Sequence, residues 1–381
     1  MRVPFLDLRR QAEEIEAEVL PVLREVYRGG RYVLGSELSA FEKEVADFLG
    51  VARTLGVSSG TDALFMSLLV AGVGPGDRVL TSCFSFFATV EVILRLGAEP
   101  VFVDIDPVTY NLDPGRAEEV LRKEDRRLKV FLPVHLFGRA ADLGRLCEAA
   151  EEKGIAVIED TAQSFGAVLP DGRRAGAVGR FGCFSFYPSK NLGALGDGGL
   201  IAVRGEEDAE LLSRLRNHAP CTPYVHDRLG GNWRLDELQA AVLRVKLKKL
   251  PEWLRRRREI AEKYRELFLG SGLVDSGRIA LPDFPTKPEE HTWNQFVVRA
   301  SARDELRAFL TEAGIGTSVY YPVPLHLQPA LKSLGYREGD FREAEKACHE
   351  VLALPIWPEL QDEEIAFVVE KVAEFYRQRK S

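Results

Sequence analysis

Apolar residues recur at three- and four-residue intervals over 11–27 and 37–49, which predicts two amphipathic helices ahead of any strand. Gly60-Thr61-Asp62 then opens an apolar helical stretch that runs to Ala71. Val79-Leu80 starts a short strand, and Thr89 to Leu96 reads as a helix. Val101-Phe102-Val103-Asp104 and Val130 to His135 are strand-like, Leu143 to Lys153 is helical, and Ile155 to Glu159 is again strand-like. Cys183 to Phe186 and Leu200 to Val203 extend the series. Short apolar runs alternating with helices predict an α/β fold: a mostly parallel sheet with helices on both faces. A long helical region covers about 234–269, and Pro251 is expected to break it. The Pro- and Gly-rich stretch from Gly270 to Pro288 reads as a boundary. A strand at Gln295 to Arg299 and helices over 303–313 and 362–379 then predict a smaller α+β unit. The expected division is a large domain over 1–270 and a small C-terminal domain over 271–381.

Size agrees with two units. The chain has 381 residues, and a single hydrophobic core stops growing at roughly 250–300. The net charge of −7 gives no reason to expect a nucleic-acid partner. The best apolar run, Ala63 to Val73, falls short of the ~20 residues of a membrane helix. Asp7, Arg9 and Arg10 follow the first residues too closely for a signal peptide. Cys83, Cys147, Cys183, Cys221 and Cys348 are odd in number and widely spaced, with no C-x-x-C. That pattern suits reduced thiols, so a cytoplasmic location is expected. Scarce Asn, Gln, Met and Cys beside abundant Arg and Glu give a thermophile-like composition, a bias that GC-rich coding also produces.

Candidate chemistry begins with two glycine clusters. Gly72-Val73-Gly74-Pro75-Gly76-Asp77 lies after a helix and before a strand, the wrong order for a phosphate loop, and reads as a turn. Ser58-Ser59-Gly60-Thr61-Asp62 has the right order. It opens a helix after a strand-like Thr54 to Val57, where free N–H groups and the helix dipole suit a phosphate as well as an ordinary N-cap. Glu159-Asp160-Thr161-Ala162-Gln163 puts carboxylates at a strand's carboxyl end, either as a partner for a cationic ring nitrogen or as a capping acid. Phe184 to Asn191 carries Lys190 in a partly apolar turn, where the charged amine is disfavoured and the free amine becomes a nucleophile. An anion cradle, an acid and a lysine in this order are the parts that hold pyridoxal 5'-phosphate.

These stretches resemble the DegT/DnrJ/EryC1/StrS family of pyridoxal-phosphate sugar aminotransferases. The resemblance is carried by Val3-Pro4-Phe5-Leu6-Asp7-Leu8, Ser59 to Leu64, Pro100 to Asp106, Glu159-Asp160 with Ala162-Gln163, and Ser185 to Leu192. It continues through Gly231-Asn232, Arg234 to Ala241, and Tyr321-Pro322 with His326. The resemblance implies the aspartate-aminotransferase (type I) fold with pyridoxal 5'-phosphate as cofactor. It makes Lys190 the cofactor-bound lysine and proton carrier, with Asp160 the partner of the pyridine nitrogen. Phe86 then stacks on the ring, Gln163 lies near its phenolic oxygen, and Gly60, Thr61 and Ser185 hold the phosphate. Asn232 reaches the phosphate of a neighbouring subunit, which implies a homodimer. Tyr187, Tyr320, Tyr321 and His326 face the sugar nucleotide. The implied reaction moves an amine, usually from glutamate, onto a nucleoside-diphosphate keto-sugar. The stretch Arg234 to Ala241 with Leu243 to Leu247 is closer to members acting at sugar C3 than at C4.

Two positions depart from the family's habit: Thr161 where Ala is frequent, and His218-Ala219 where His-Gly is frequent. His218, Cys221 and His226 fit no common metal spacing. Arg255 to Arg258 is expected to be a solvated helix face. A regulatory protein that binds the cofactor without transaminating is the alternative reading.

Overall fold

A computed structural model describes residues 1–123 and 125–379. Two helices come first, α1 (Leu8–Gly29) and α2 (Ser36–Leu49). Asp7 caps α1 by accepting from the Arg9 N–H at 3.1 Å, and Gly30 ends it in the left-handed region at φ 67°. The main sheet contains β1 (Arg53–Val57), β2 (Arg78–Ser82), β3 (Glu99–Val103), β4 (Leu128–Leu132), β5 (Ala156–Asp160), β6 (Phe181–Ser185) and β7 (Gly199–Val203). Its spatial order is β1-β7-β6-β5-β4-β2-β3, and β7 runs against both of its neighbours while the other pairs are parallel. The expected α/β class is therefore found.

Helices α3 (Gly60–Val70), α4 (Ala88–Arg95) and α7 (Glu206–Leu215) cover one face, and α5 (Pro114–Arg122) and α6 (Gly144–Glu152) part of the other. The alternation is visible in β7: Ile201 and Val203 join the α3 side, while Leu200 and Ala202 join α2 and the long helix α8 (Glu237–Gly270). Between α7 and α8 a short hairpin, β8 (Pro220–Thr222) and β9 (Val225–His226), stands in solvent.

The expected break at Pro251 does not occur; α8 runs through it. Proline removes one backbone bond, and packing against α1 and α2 on one half and a second core on the other outweighs that loss. Within the supposedly solvated run Arg255 to Arg258, Arg257 is buried. It donates to the Trp293 and Ile356 carbonyls at 2.9 and 3.1 Å, and burial lowers its pKa to about 10.

The second core surrounds β10 (Ile279–Ala280), β11 (Phe296–Ala300) and β12 (Val351–Leu354), an antiparallel sheet with α9 (Arg303–Glu312), α10 (Arg342–Glu350) and α11 (Asp362–Gln378). Its residues include Tyr264 and Phe268 from the end of α8, and Val3 from the N-terminus. Val3 pairs with Ile315, donating to Gly314 O at 3.0 Å and accepting from Gly316 N at 2.8 Å. The C-terminal unit thus takes in two pieces that a cut at residue 270 assigns to the large domain. Asp104, at the end of β3, joins the units by accepting from the N–H groups of Glu343 and Ala344 in the first turn of α10.

Candidate active site at the carboxyl edge of the sheet

Strands β5 and β6 end side by side in Asp160 and Ser185, at the edge where open α/β sheets bind ligands. Successive residues of a strand face opposite sides, so Glu159 and Asp160 enter different surroundings. The Glu159 carboxylate meets the His135 ring at 3.0 Å and accepts from Gly176, Val178 and Gly179 N–H groups at 2.9, 2.8 and 2.8 Å. His135 Nδ1 accepts from the Ala141 N–H at 2.9 Å, so the ring hydrogen sits on Nε2 and is donated to Glu159. Burial alone would raise the Glu159 pKa, but His135 and the backbone donors outweigh it and hold it low. Asp160 is less well supplied. It accepts from Thr89 Oγ1 at 2.8 Å and from the Ala162 N–H at 3.2 Å, and burial wins, raising its pKa.

Lys190 lies in the turn after β6, half-buried, its backbone N–H bonded to Tyr187 O at 2.9 Å. Among the described residues nothing accepts from its amine. Burial lowers its pKa to about 8, against the pull of the Asp160 charge. The turn is held on both flanks. Asn191 donates to Thr292 O at 3.0 Å, and buried Lys246 donates to Gly193 O at 2.8 Å. Gly193 is required there, since a Cβ would stand 2.4 Å from Pro188 O.

The cradle forms where α3 meets β6 and β7. Ser59 Oγ caps α3 through the Asp62 N–H at 3.0 Å, and Ser58 and Ser59 both donate to Asp62 Oδ2. Among the described residues the Gly60 and Thr61 N–H groups have no acceptor, which is the usual condition of a helix's first turn. Gly60 packs on Ser185; a Cβ on it would lie 2.7 Å from Ser185 Cβ. Phe86 and Tyr187 expose 59% and 55% of their surface at this edge, an unusual allowance for aromatic rings. Gln163 spans two partners: its Oε1 accepts from the Phe137 N–H at 2.7 Å, and its Nε2 donates to Tyr321 OH at 2.9 Å. The Tyr321 ring lies 6.4 Å from Phe86 and 5.7 Å from Tyr320. Free N–H donors, an exposed ring face, an unpaired amine and a buried acid suit a phosphate monoester on an aromatic aldehyde.

Two expected residues stand apart. His326 is fully buried, paired through Nε2 with Glu345 at 3.0 Å and packed on Phe341. Its side chain has no exposed surface in this chain. Glu345 also accepts from the Gly339 and Phe341 N–H groups, so the pair fastens the loop before α10. Asn232 is exposed on the rim; its neighbour Trp233 accepts from the Ser58 N–H at 3.2 Å. Ala219 adopts φ 52° and His218 φ 64°, so an alanine occupies a left-handed position where the family often has glycine. Nothing local along the chain marks Thr89, His135 or Lys246. A threonine in an apolar helix and a lysine in a basic stretch carry no local mark of a long-range bond.

Comparison with known proteins agrees with this geometry. The profile of the DegT/DnrJ/EryC1/StrS aminotransferase family matches residues 13–373. A "Pleiotropic regulatory protein" of Geobacillus stearothermophilus is 46% identical over 99% of each chain. A dTDP-3-amino-3,4,6-trideoxy-alpha-D-glucose transaminase of Streptomyces venezuelae is 42% identical, covering 98% of this chain and 96% of its own. A UDP-N-acetyl-3-dehydro-alpha-D-glucosamine 3-aminotransferase of Acidithiobacillus ferrooxidans is 39% identical over 96% and 95%. Among solved structures, S. venezuelae DesV with a ketimine intermediate superposes at TM-score 0.91, 41% identity and 98% of both chains. Bacillus subtilis NtdA with bound PMP follows at TM-score 0.88, 32% identity, and 98% and 85% coverage. Sequence and fold agree from end to end: the chain belongs to the DegT/DnrJ/EryC1/StrS aminotransferase family and is a transaminase dependent on pyridoxal 5'-phosphate.

Proposed function

We propose that this enzyme aminates a keto-sugar carried on a nucleoside diphosphate, at sugar C3, with glutamate as the amino donor. The observation that carries the chemistry is Lys190: an unpaired amine with its pKa lowered to about 8, in the field of Asp160. The choice of C3 is supported by the relatives named for 3-amino and 3-dehydro sugars.

In this reading the Gly60 and Thr61 N–H groups and the Ser185 hydroxyl hold the cofactor's phosphate. Phe86 covers a ring face, Gln163 lies beside the phenolic oxygen, and Asp160 faces the ring nitrogen as an anion. Bound there, pyridoxal 5'-phosphate supplies an electron sink and a carrier for the amine. Lys190 Nζ would hold the cofactor at rest and, freed when the incoming amine takes its place, would carry a proton from one carbon to another in each half-reaction. Its lowered pKa suits that work near neutral pH. Tyr187, Tyr320 and Tyr321 wall the sugar side. Asn232 reaches the phosphate of a second subunit, so the working form is a homodimer. The hairpin and the segment after it support such a contact, since Tyr224 and Leu229 expose 97% and 93% of their surface. A small acidic chain in which no described helix is long and apolar enough to cross a membrane suits a cytoplasmic enzyme.

The test is a panel of 3-keto and 4-keto nucleotide sugars with glutamate. Amination of a 3-keto substrate is expected; turnover confined to 4-keto sugars would overturn the choice of carbon. Borohydride should fix the cofactor on Lys190, and mass spectrometry finding it on another lysine would remove that assignment. The regulatory name of one relative favours a second reading, binding without turnover. A yellow protein that aminates no member of the panel would support it.

A further inference from the structure

We propose that Ser85 and Thr89 are positioning residues, a two-hydroxyl chain that keeps Asp160 an oriented anion beneath the cofactor's ring nitrogen. The proposal rests on the reading of Asp160 above and adds the groups that make that reading work.

The direction of the chain follows from counting hydrogens. An ionised carboxylate only accepts, so the single hydrogen of Thr89 Oγ1 goes to Asp160 Oδ2, at 2.8 Å. Ser85 Oγ lies 2.9 Å from Thr89 Oγ1. With Thr89's hydrogen already committed, Ser85 must be the donor. The order is Ser85 to Thr89 to Asp160, with both hydroxyl dipoles pointing at the carboxylate. All three residues are 5% exposed or less, so no water competes. In such surroundings each donated bond strengthens the next.

Asp160 needs this help. Its strand neighbour Glu159 takes three backbone N–H groups and a ring N–H, whereas Asp160 has a single backbone donor, that of Ala162. Thr89 is its one side-chain donor among the described residues. The charges that bear on Asp160 come from Lys190 in the turn after β6 and from the His135 ring; Cys183 and Tyr321 are its other titratable neighbours. His135 spends its Nε2 on Glu159 and makes no hydrogen bond to Asp160. The same short turn also carries Phe86, and the Thr89 N–H bonds to Phe86 O at 3.2 Å. One turn therefore sets both the ring-covering face and the acid beneath it.

The test uses the holoenzyme loaded with cofactor labelled with ¹⁵N at the ring. Thr89→Val keeps the shape and removes the donor. Its ¹⁵N resonance should move toward the unprotonated position and kcat should fall about 10-fold, as for one hydrogen bond to a charge, with KM little changed. Thr89→Ser should restore both to within about two-fold. Ser85→Ala, which leaves Thr89 donating, should shift the resonance part of the way. A Thr89→Val holoenzyme with wild-type ¹⁵N shift and kcat, beside an Asp160→Asn enzyme that loses both, would overturn the proposal and leave Asp160 in place. A silent Asp160→Asn would instead overturn the reading of Asp160 itself. Should Thr89→Val fail to fold, Ser85→Ala decides: an unmoved resonance counts against the chain.

Discussion

The two sides of strand β5 handle a buried carboxylate in opposite ways. On one side, Glu159 is met by four donors and stays ionised with its pKa held low. On the other, Asp160 has two donors, one of them a hydroxyl, and burial raises its pKa. The first is a carboxylate whose needs the fold meets in full, which is how structure is stabilised. The second is left wanting a cationic partner, which is how a binding site is poised. Neighbouring positions in sequence thus divide stability from chemistry.

The largest effect that can break this division is on rate. On the proposed role of Asp160, Asp160→Asn should leave a folded protein that binds cofactor but transaminates roughly 10²-fold more slowly, since the amide would offer the ring nitrogen no anion. Steady-state kcat with circular dichroism checks it. An equal loss in Glu159→Gln with an unaltered melting curve would erase the distinction between the two sides.

Next in size is stability. Glu159→Gln turns an acceptor of four N–H groups into a side chain with one acceptor and its own N–H₂, which faces donors. Buried donors left unpaired cost about 1–3 kcal/mol each, so a loss of about 3 kcal/mol in chemical denaturation is expected. His135→Ala should cost less, since it removes one donor of the four.

The pH dependence of the cofactor-free protein sharpens the contrast by sign. The folded pKa of Glu159 is depressed, so its contribution is present above its unfolded value near 4.5 and is lost as pH falls through the folded value. The folded pKa of Asp160 is raised, so its contribution is present below about 3.8 and is lost as pH rises through the folded value. At neutral pH the cofactor-free Asp160→Asn protein should therefore be more stable than wild type, and Glu159→Gln less. Urea titrations at pH 7 and pH 4 test both signs; the gap between the two variants should narrow at the lower pH.

Much of this was legible along the chain because it is local. Short apolar runs placed the β5 and β6 strands, an apolar stretch opened by Gly60 placed α3, and local residue types made Lys190, Asp160 and the Gly60 turn candidates. What was hidden depends on contacts across many residues. Thr89 bonds Asp160 across 71 positions, Arg257 inside a basic run finds carbonyls 36 and 99 residues away, and Val3 completes a core built mainly after residue 260. His326 was legible as a motif histidine, but its burial against Phe341 and Glu345 was not. Pattern reports the face an element buries; it does not report what waits there.

The smallest expected effect concerns how far Asp160's side extends. Tyr321 OH accepts from Gln163 Nε2 at 2.9 Å, and burial raises the phenol's pKa, so it stays protonated throughout the working range. Tyr321→Phe removes that acceptor while the Phe137 N–H still holds Gln163 Oε1, so the amide keeps its place but one N–H is freed. In the proposed site this freed N–H lies beside the cofactor's phenolic oxygen, so the visible absorbance maximum should change slightly and kcat should fall by only a few-fold, about 1 kcal/mol. Because no group in the pair titrates near neutral pH, the shape of the pH–rate profile should be unchanged. A profile displaced by a full pH unit would mean that Tyr321 takes part in setting the Asp160 and Lys190 charges, and that the poised side of β5 reaches into the C-terminal unit.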